Sequence, residues 1–172
     1  MSNIELYLVL FVVCLLLSAF FSASETSFVA LQRIRMEHLV ESNVKGARRV
    51  ARMIKQPEKL LSTILLGNNF VNVAAAALGT MLAVSVWGER GVLIATIGVT
   101  ILILVFAEAT PKTIATQHAE RLSMIFARPI EWIAWLLTPF VIALSWIASG
   151  FTRLVGGKPV SRSLSVPRKS AP

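Results

Sequence analysis

The chain has 172 residues, 55% of them hydrophobic and only 15% charged, with a mean hydropathy of +0.71. Ordinary soluble domains carry roughly 25% charged residues, so this composition excludes that class and makes a bilayer the expected solvent. The net charge of +8 does not point to nucleic acid, because the basic residues flank apolar runs instead of sharing a face with exposed aromatics. The single cysteine, Cys14, excludes an intrachain disulfide or a zinc cluster.

The first span is predicted over about 5–30. Leu6 to Phe21 is uncharged, and Ser22-Ala23-Ser24 leads into Glu25. A cleaved signal peptide would open on basic residues, whereas this segment has Glu5 and no Lys or Arg before Arg33. From 32 to 58 the chain turns basic, with apolar residues such as Ile34, Leu39, Val50 and Ile54 among the charges. Short basic loops stay in the cytoplasm, so one or two amphipathic helices on the inner surface are predicted there, ended by a break at Pro57.

A second span is predicted over about 60–86 and a third over 92–115, joined outside by the short loop Gly88-Glu89-Arg90-Gly91. The last apolar segment, 122–155, is interrupted near its start by Arg128, Pro129, Glu131 and Pro139. A fourth crossing would carry the basic tail of Arg153, Lys158, Arg162, Arg168 and Lys169 outside. A juxtamembrane belt or re-entrant helix keeps that tail in the cytoplasm and the N-terminus outside, and Trp132, Trp135 and Trp146 suit a membrane boundary. The segment 156–172, rich in Ser, Pro and basic residues, is expected to lack fixed structure. The predicted fold is therefore all-α integral membrane: one domain over 1–155 with three transmembrane helices, cytoplasmic amphipathic helices and a juxtamembrane helical belt.

All nine acidic residues are Glu, and of these only Glu25 and Glu108 follow long uncharged runs within a predicted span. Within a membrane a carboxylate costs about 2.5–3.5 kcal/mol unless it faces protein, water or a cation. Pro111 lies three residues beyond Glu108 and has no N–H, so in an α-helix the carbonyl of Ala107 loses its partner beside the carboxylate. Irregular backbone of this kind makes cation sites in transporters. Ser22, Glu25 and Thr26 fall on one face of the first span, and Asn68 and Asn72 on one face of the second. With Glu108, the Ala107 carbonyl and Thr110 from the third, the donors are hard oxygens, which suit magnesium, calcium or sodium rather than zinc or copper.

Structural readings stand beside this one. Glu108 and Lys112, at i and i+4, could form a helical ion pair. Glu25 could pair with Arg33 or Lys112. Ser22, Ser24 and Ser27 could bond their own helix, and the asparagines could join helices. No nucleophile, base and orienting group converge in one motif, so catalysis is not expected.

Three segments resemble the transmembrane signatures of the CNNM/CorC magnesium transporters, in order and with similar separations. They are Phe21-Ser22-Ala23-Ser24-Glu25-Thr26-Ser27, Leu65-Leu66-Gly67-Asn68-Asn69 with Val71-Asn72, and Glu108-Ala109-Thr110-Pro111-Lys112-Thr113. The resemblance covers about 5–155. It implies a homodimer in the inner (plasma) membrane, with three spans, cytoplasmic helices and a belt, associated with magnesium export proposed to be coupled to sodium entry. It also implies Ser22, Asn68 or Asn72, and Glu108 as magnesium ligands, with a carbonyl near Pro111. One departure is that relatives commonly have Gly where this chain has Ala107. Relatives also continue into a pair of cytosolic CBS domains, so the chain reads as a membrane domain separated from them, with a tail of non-native origin.

On that resemblance, Ser22, Asn68, Asn72, Glu108 and the Ala107 carbonyl form the expected magnesium shell, completed by a retained water. Ser24, Glu25, Ser27, Asn69 and Thr110 are candidates for sodium or for supporting contacts. Gly67 and Pro111 are expected to break their helices, and Lys112 to pair or gate. The implied activity is alternating access. The alternative is a magnesium-sensing membrane scaffold that regulates another transporter without moving ions.

Overall fold

The computed structural model describes residues 3–154, with side chains over 4–140 apart from Arg33. The described residues are helical throughout, apart from short turns, and include no strand. The first helix, α1 (Asn3–Val29), exposes Leu6, Leu8, Val9, Val12 and Leu16, with Leu16 66% exposed. A helix that is apolar all round needs an apolar environment, and water cannot supply it.

Two helical stretches are long and apolar enough to cross a membrane, Ile4–Val29 and the 61-residue Pro57–Gln117. The second is too long for one crossing, which takes about 20 residues, and it folds back on itself. Its first arm is α4 (Pro57–Trp87). Pro57, expected to mark a break before the span, instead occupies the first turn of α4, where a missing N–H costs nothing. Gly88, at φ 61°, and a 3₁₀ turn over Gly88–Arg90 reverse the chain.

The returning arm comprises α5 (Gly91–Leu102), a π-helical segment (Ile103–Ala109) and α6 (Thr110–Gln117). The arms touch closely. A Cβ on Gly91 would strike the Ala83 backbone, and one on Gly79 would strike the Val99 side chain.

Helix α1 lies antiparallel to α4, with the Phe21 ring seated on Gly67 and Phe11 close to Gly79. The expected break at Gly67 is absent, since α4 runs unbroken through it. The glycine serves instead to admit an aromatic ring between two helices.

Below this pair sit α2 (Arg33–Glu41) and α3 (Ala47–Ile54), the predicted basic helices, joined through Asn43 and Gly46 in left-handed conformations. Helix α7 (Ala119–Leu154) runs as one helix through Pro129 and Pro139, which the sequence suggested as interruptions. Its first turns point Ser123, Ala127 and Ile130 inward at helical spacing, all three fully buried. Ala127 and Ile130 join Phe21, Phe28, Val50 and Ile64 in one core. Ion pairs Arg35–Glu120 at 2.7 Å and Arg49–Glu131 at 2.9 Å tie α7 to the basic helices. The tail over 156–172 and the side chain of Trp146 lie outside the described residues.

Candidate cation site

Polar side chains inside apolar helices must find partners, and three elements supply them to one another. On α1, Ser18 and Ser22 are one turn apart and fully buried. On α4, Asn68 and Asn72 are likewise one turn apart, Asn68 buried and Asn72 half-buried. Ser18 Oγ donates to Asn72 Oδ1 and approaches Asn68 Oδ1 at 3.3 Å. Its single proton serves one acceptor at a time. Asn72 then donates through Nδ2 to Glu108 Oε1 at 3.3 Å. A polar chain, Ser18–Asn72–Glu108, thus connects α1, α4 and the π-helical segment through the apolar bundle.

Ser18 was not singled out by sequence reading. The signal available was its position four residues before Ser22, on the same helical face. Ser22 itself has a different status, because its Oγ is buried and has no hydrogen-bond partner among the described residues. In the antiparallel register of α1 and α4, Ser22 lies level with Gly67 and Asn68. Natural proteins seldom leave a buried hydroxyl unpaired, and where they do a functional reason is the first to test.

The backbone near Glu108 is unusual as well. Over Ile103–Ala109 the helix widens to the π register, in which Thr110 N–H bonds the Val105 carbonyl. Such widened turns are rare and concentrate at functional sites. The next donor in that register would belong to Pro111, which has none. The deficit therefore falls on the carbonyl of Phe106 in the wide register and on that of Ala107 in the α register. Sequence reading placed it on Ala107 alone, because a plain α-helix was assumed. Ala107 is fully buried, and the helix widens ahead of Pro111 and runs on through it without breaking.

The remaining candidates divide clearly. Lys112 pairs with Glu25 on α1 at 3.4 Å, so the helical Glu108–Lys112 pair is replaced by an interhelical one. Ser24 and Ser27 donate to the carbonyls of Phe20 and Ala23, each at 2.7 Å, within their own helix. Asn69 and Thr110 are exposed and stand apart from the polar chain. Among the described residues, no three His, Cys, Asp or Glu side chains cluster. A cation bound here would therefore rest on one carboxylate and neutral oxygens. That donor set fits a hard ion that keeps some of its water.

Residues 9–169 match the family described as the Cyclin M transmembrane N-terminal domain. The chain belongs to the CNNM family. This CNNM domain is similar to a UPF0053 protein of Haemophilus influenzae, 36% identical over 150 residues that cover 87% of the chain and 36% of that protein. It is 38% identical over 139 residues to the UPF0053 inner membrane protein YfjD of Escherichia coli, covering 81% of the chain and 32% of YfjD. A DUF21 domain-containing chloroplastic protein of Arabidopsis thaliana is 36% identical over 143 residues, 83% of the chain and 22% of that protein. The chain thus spans about a third of the length of these two bacterial relatives. Family membership and the apolar helices together make this a membrane domain.

Proposed function

We propose that this CNNM domain carries magnesium across the inner membrane by alternating access, with export coupled to sodium entry, and that Glu108 is the central ligand. The observation that carries the reading is the convergence of three separate sequence segments at one polar chain inside apolar helices, beside an unpaired buried hydroxyl and a widened, proline-starved turn. Magnesium demands close to six oxygens at about 2.0–2.1 Å and dehydrates reluctantly. Ser22 Oγ, the amide oxygens of Asn68 and Asn72, Glu108 and a carbonyl of the widened turn are the donors, with water completing the shell. For Asn72 to serve, its amide must turn, because Nδ2 and not Oδ1 faces Glu108.

The proposal takes α1 and the two arms of the α4–α6 hairpin as three crossings. The basic residues of α2, α3 and the start of α7 gather at one end of these helices, while the hairpin tip carries only Glu89 and Arg90. That asymmetry supports a cytoplasmic basic end and an external N-terminus. Sodium coupling, a homodimer and cytosolic CBS partner domains belong to the same proposal.

Magnesium flux from proteoliposomes tests it. Wild-type protein is expected to move magnesium, with a dependence on sodium, and Glu108→Gln to abolish the movement. Magnesium binding lost in Glu108→Gln, with no flux in the wild type, would favour the scaffold reading.

A further inference from the structure

Away from the polar chain, α3, α4 and α7 frame two adjoining clefts of about 340 and 650 Å³ that share Glu131 and Trp135. The smaller is lined by the polar Arg52, Gln56 and Lys59 together with the apolar Leu60, Ala134 and Trp135. The larger adds Arg49, Arg128 and Trp132. Four cations thus line the pair of clefts against one acid. Glu131 is occupied by Arg49 at 2.9 Å and reaches Arg52 only at 4.0 Å. Among the described residues, neither Lys59 nor Arg128 forms an ion pair. Among the described residues, the surplus of positive charge therefore has no ion-pair partner.

The position of the clefts specifies the anion. Lys59 is the last charge before an uncharged run that continues from Leu60 to Trp87, so the smaller cleft straddles the level at which α4 turns apolar. Trp132 and Trp135 stand beside it 70% and 73% exposed, a placement that wastes apolar surface in water and suits the boundary between headgroups and acyl chains. Phosphate held by arginine and lysine is chemistry that a soluble phosphate and a lipid share. Only the lipid also has use for the apolar wall of Leu60, Ala134 and Trp135.

We infer that these clefts bind an anionic phospholipid. Arg52, Lys59 and Arg128 take the phosphate oxygens, Arg49 keeps Glu131 neutralised, and Trp135 with Leu60 receives the glycerol and the first acyl carbons. The inference does not depend on magnesium transport.

The test is thermal stability of the purified protein in detergent micelles, titrated with phosphatidylglycerol, phosphatidylcholine or glycerol 3-phosphate. Phosphatidylglycerol is expected to raise the midpoint well beyond the other two. Replacing Arg52, Lys59 and Arg128 together by Gln is expected to weaken the response about a hundredfold. Replacing Lys45 and Arg48, equally basic but outside both clefts, is expected to leave it intact. Equal responses to the two lipids, an equal response to glycerol 3-phosphate, or equal loss in both sets of variants would each overturn the inference. If the triple variant does not fold, quenching of tryptophan fluorescence by phosphatidylglycerol with brominated acyl chains decides. Quenching no greater than that by brominated phosphatidylcholine, or unchanged by Trp135→Phe, sinks the proposal.

Discussion

Asn72 donates its amide to Glu108 across 3.3 Å, bridging the two arms of the hairpin at the residue proposed to hold magnesium. Glu108→Gln keeps the shape and a neutral hydrogen-bonding partner while removing the charge. Its stability without magnesium is predicted to stay within about 1 kcal/mol of wild type, because the bond lost to a charged acceptor is replaced by one to a neutral acceptor. Magnesium should raise the melting midpoint of the wild type and leave the variant unmoved. A variant that keeps the magnesium response removes Glu108 from the site.

Lys112 reaches across to Glu25 on α1 at 3.4 Å, with the two side chains 41% and 27% exposed. Partial exposure limits the value of such a pair to about 0.5–1 kcal/mol. A double-mutant cycle of Glu25→Gln and Lys112→Gln is predicted to give coupling of that size, measured by chemical denaturation. The companion cycle of Lys112→Gln with Glu108→Gln should give none. Coupling found between 108 and 112 instead would restore the helical pair suggested by their i, i+4 spacing.

The contrast between these two pairs marks where the sequence was legible. Hydropathy set the limits of α1 and α4 to within a few residues, because uncharged runs and flanking charges depend only on the solvent each segment meets. That Asn72 and Glu108 would need polar partners was likewise readable, since both are polar side chains in apolar runs, and the structure joins them to each other. The widened turn over Ile103–Ala109 was not legible. Helical periodicity assumes a uniform register, and nothing in Ile103-Leu104-Val105-Phe106 announces an extra residue per turn. Placing the carbonyl deficit on Ala107 alone rested on that assumption, and of the two partners open to Lys112 the structure joins Glu25. Gly67 was expected to break its helix, whereas the ring of Phe21 that explains it is 46 positions away in sequence and visible only in the packing.

That packing gives a prediction of its own. A Cβ at Gly67 would come within 2.4 Å of the Phe21 ring, while one at Gly98 would meet nothing within 4 Å. Gly67→Ala is predicted to destabilise the domain by about 1–3 kcal/mol through overpacking. Pairing it with Phe21→Leu should recover part of the loss. Gly98→Ala, in the open, should be neutral or stabilising by up to about 1 kcal/mol through helix propensity. Melting midpoints of the four proteins check the set, and equal effects at 67 and 98 would contradict the α1–α4 contact.

Ser18 and Ser22 are chemically identical, one turn apart and equally buried, yet their predicted responses to alanine are opposite. Ser18 Oγ holds the Asn72 amide oxygen, so Ser18→Ala strands a polar atom and is predicted to cost about 0.6–1.7 kcal/mol, from the average to the largest value for hydrogen bonds between membrane helices. Ser22 Oγ has no partner to lose. Removing it relieves an unpaired buried hydroxyl, so Ser22→Ala is predicted to leave stability unchanged or raise it by up to about 1 kcal/mol. The same change deletes a proposed magnesium oxygen, and the magnesium-dependent rise in midpoint should shrink. A residue whose loss helps the fold and harms ion binding is one retained for function, in line with the general cost of active sites to stability. A Ser22→Ala protein that is less stable than wild type and binds magnesium normally would instead make the hydroxyl structural, and would remove α1 from the ion site.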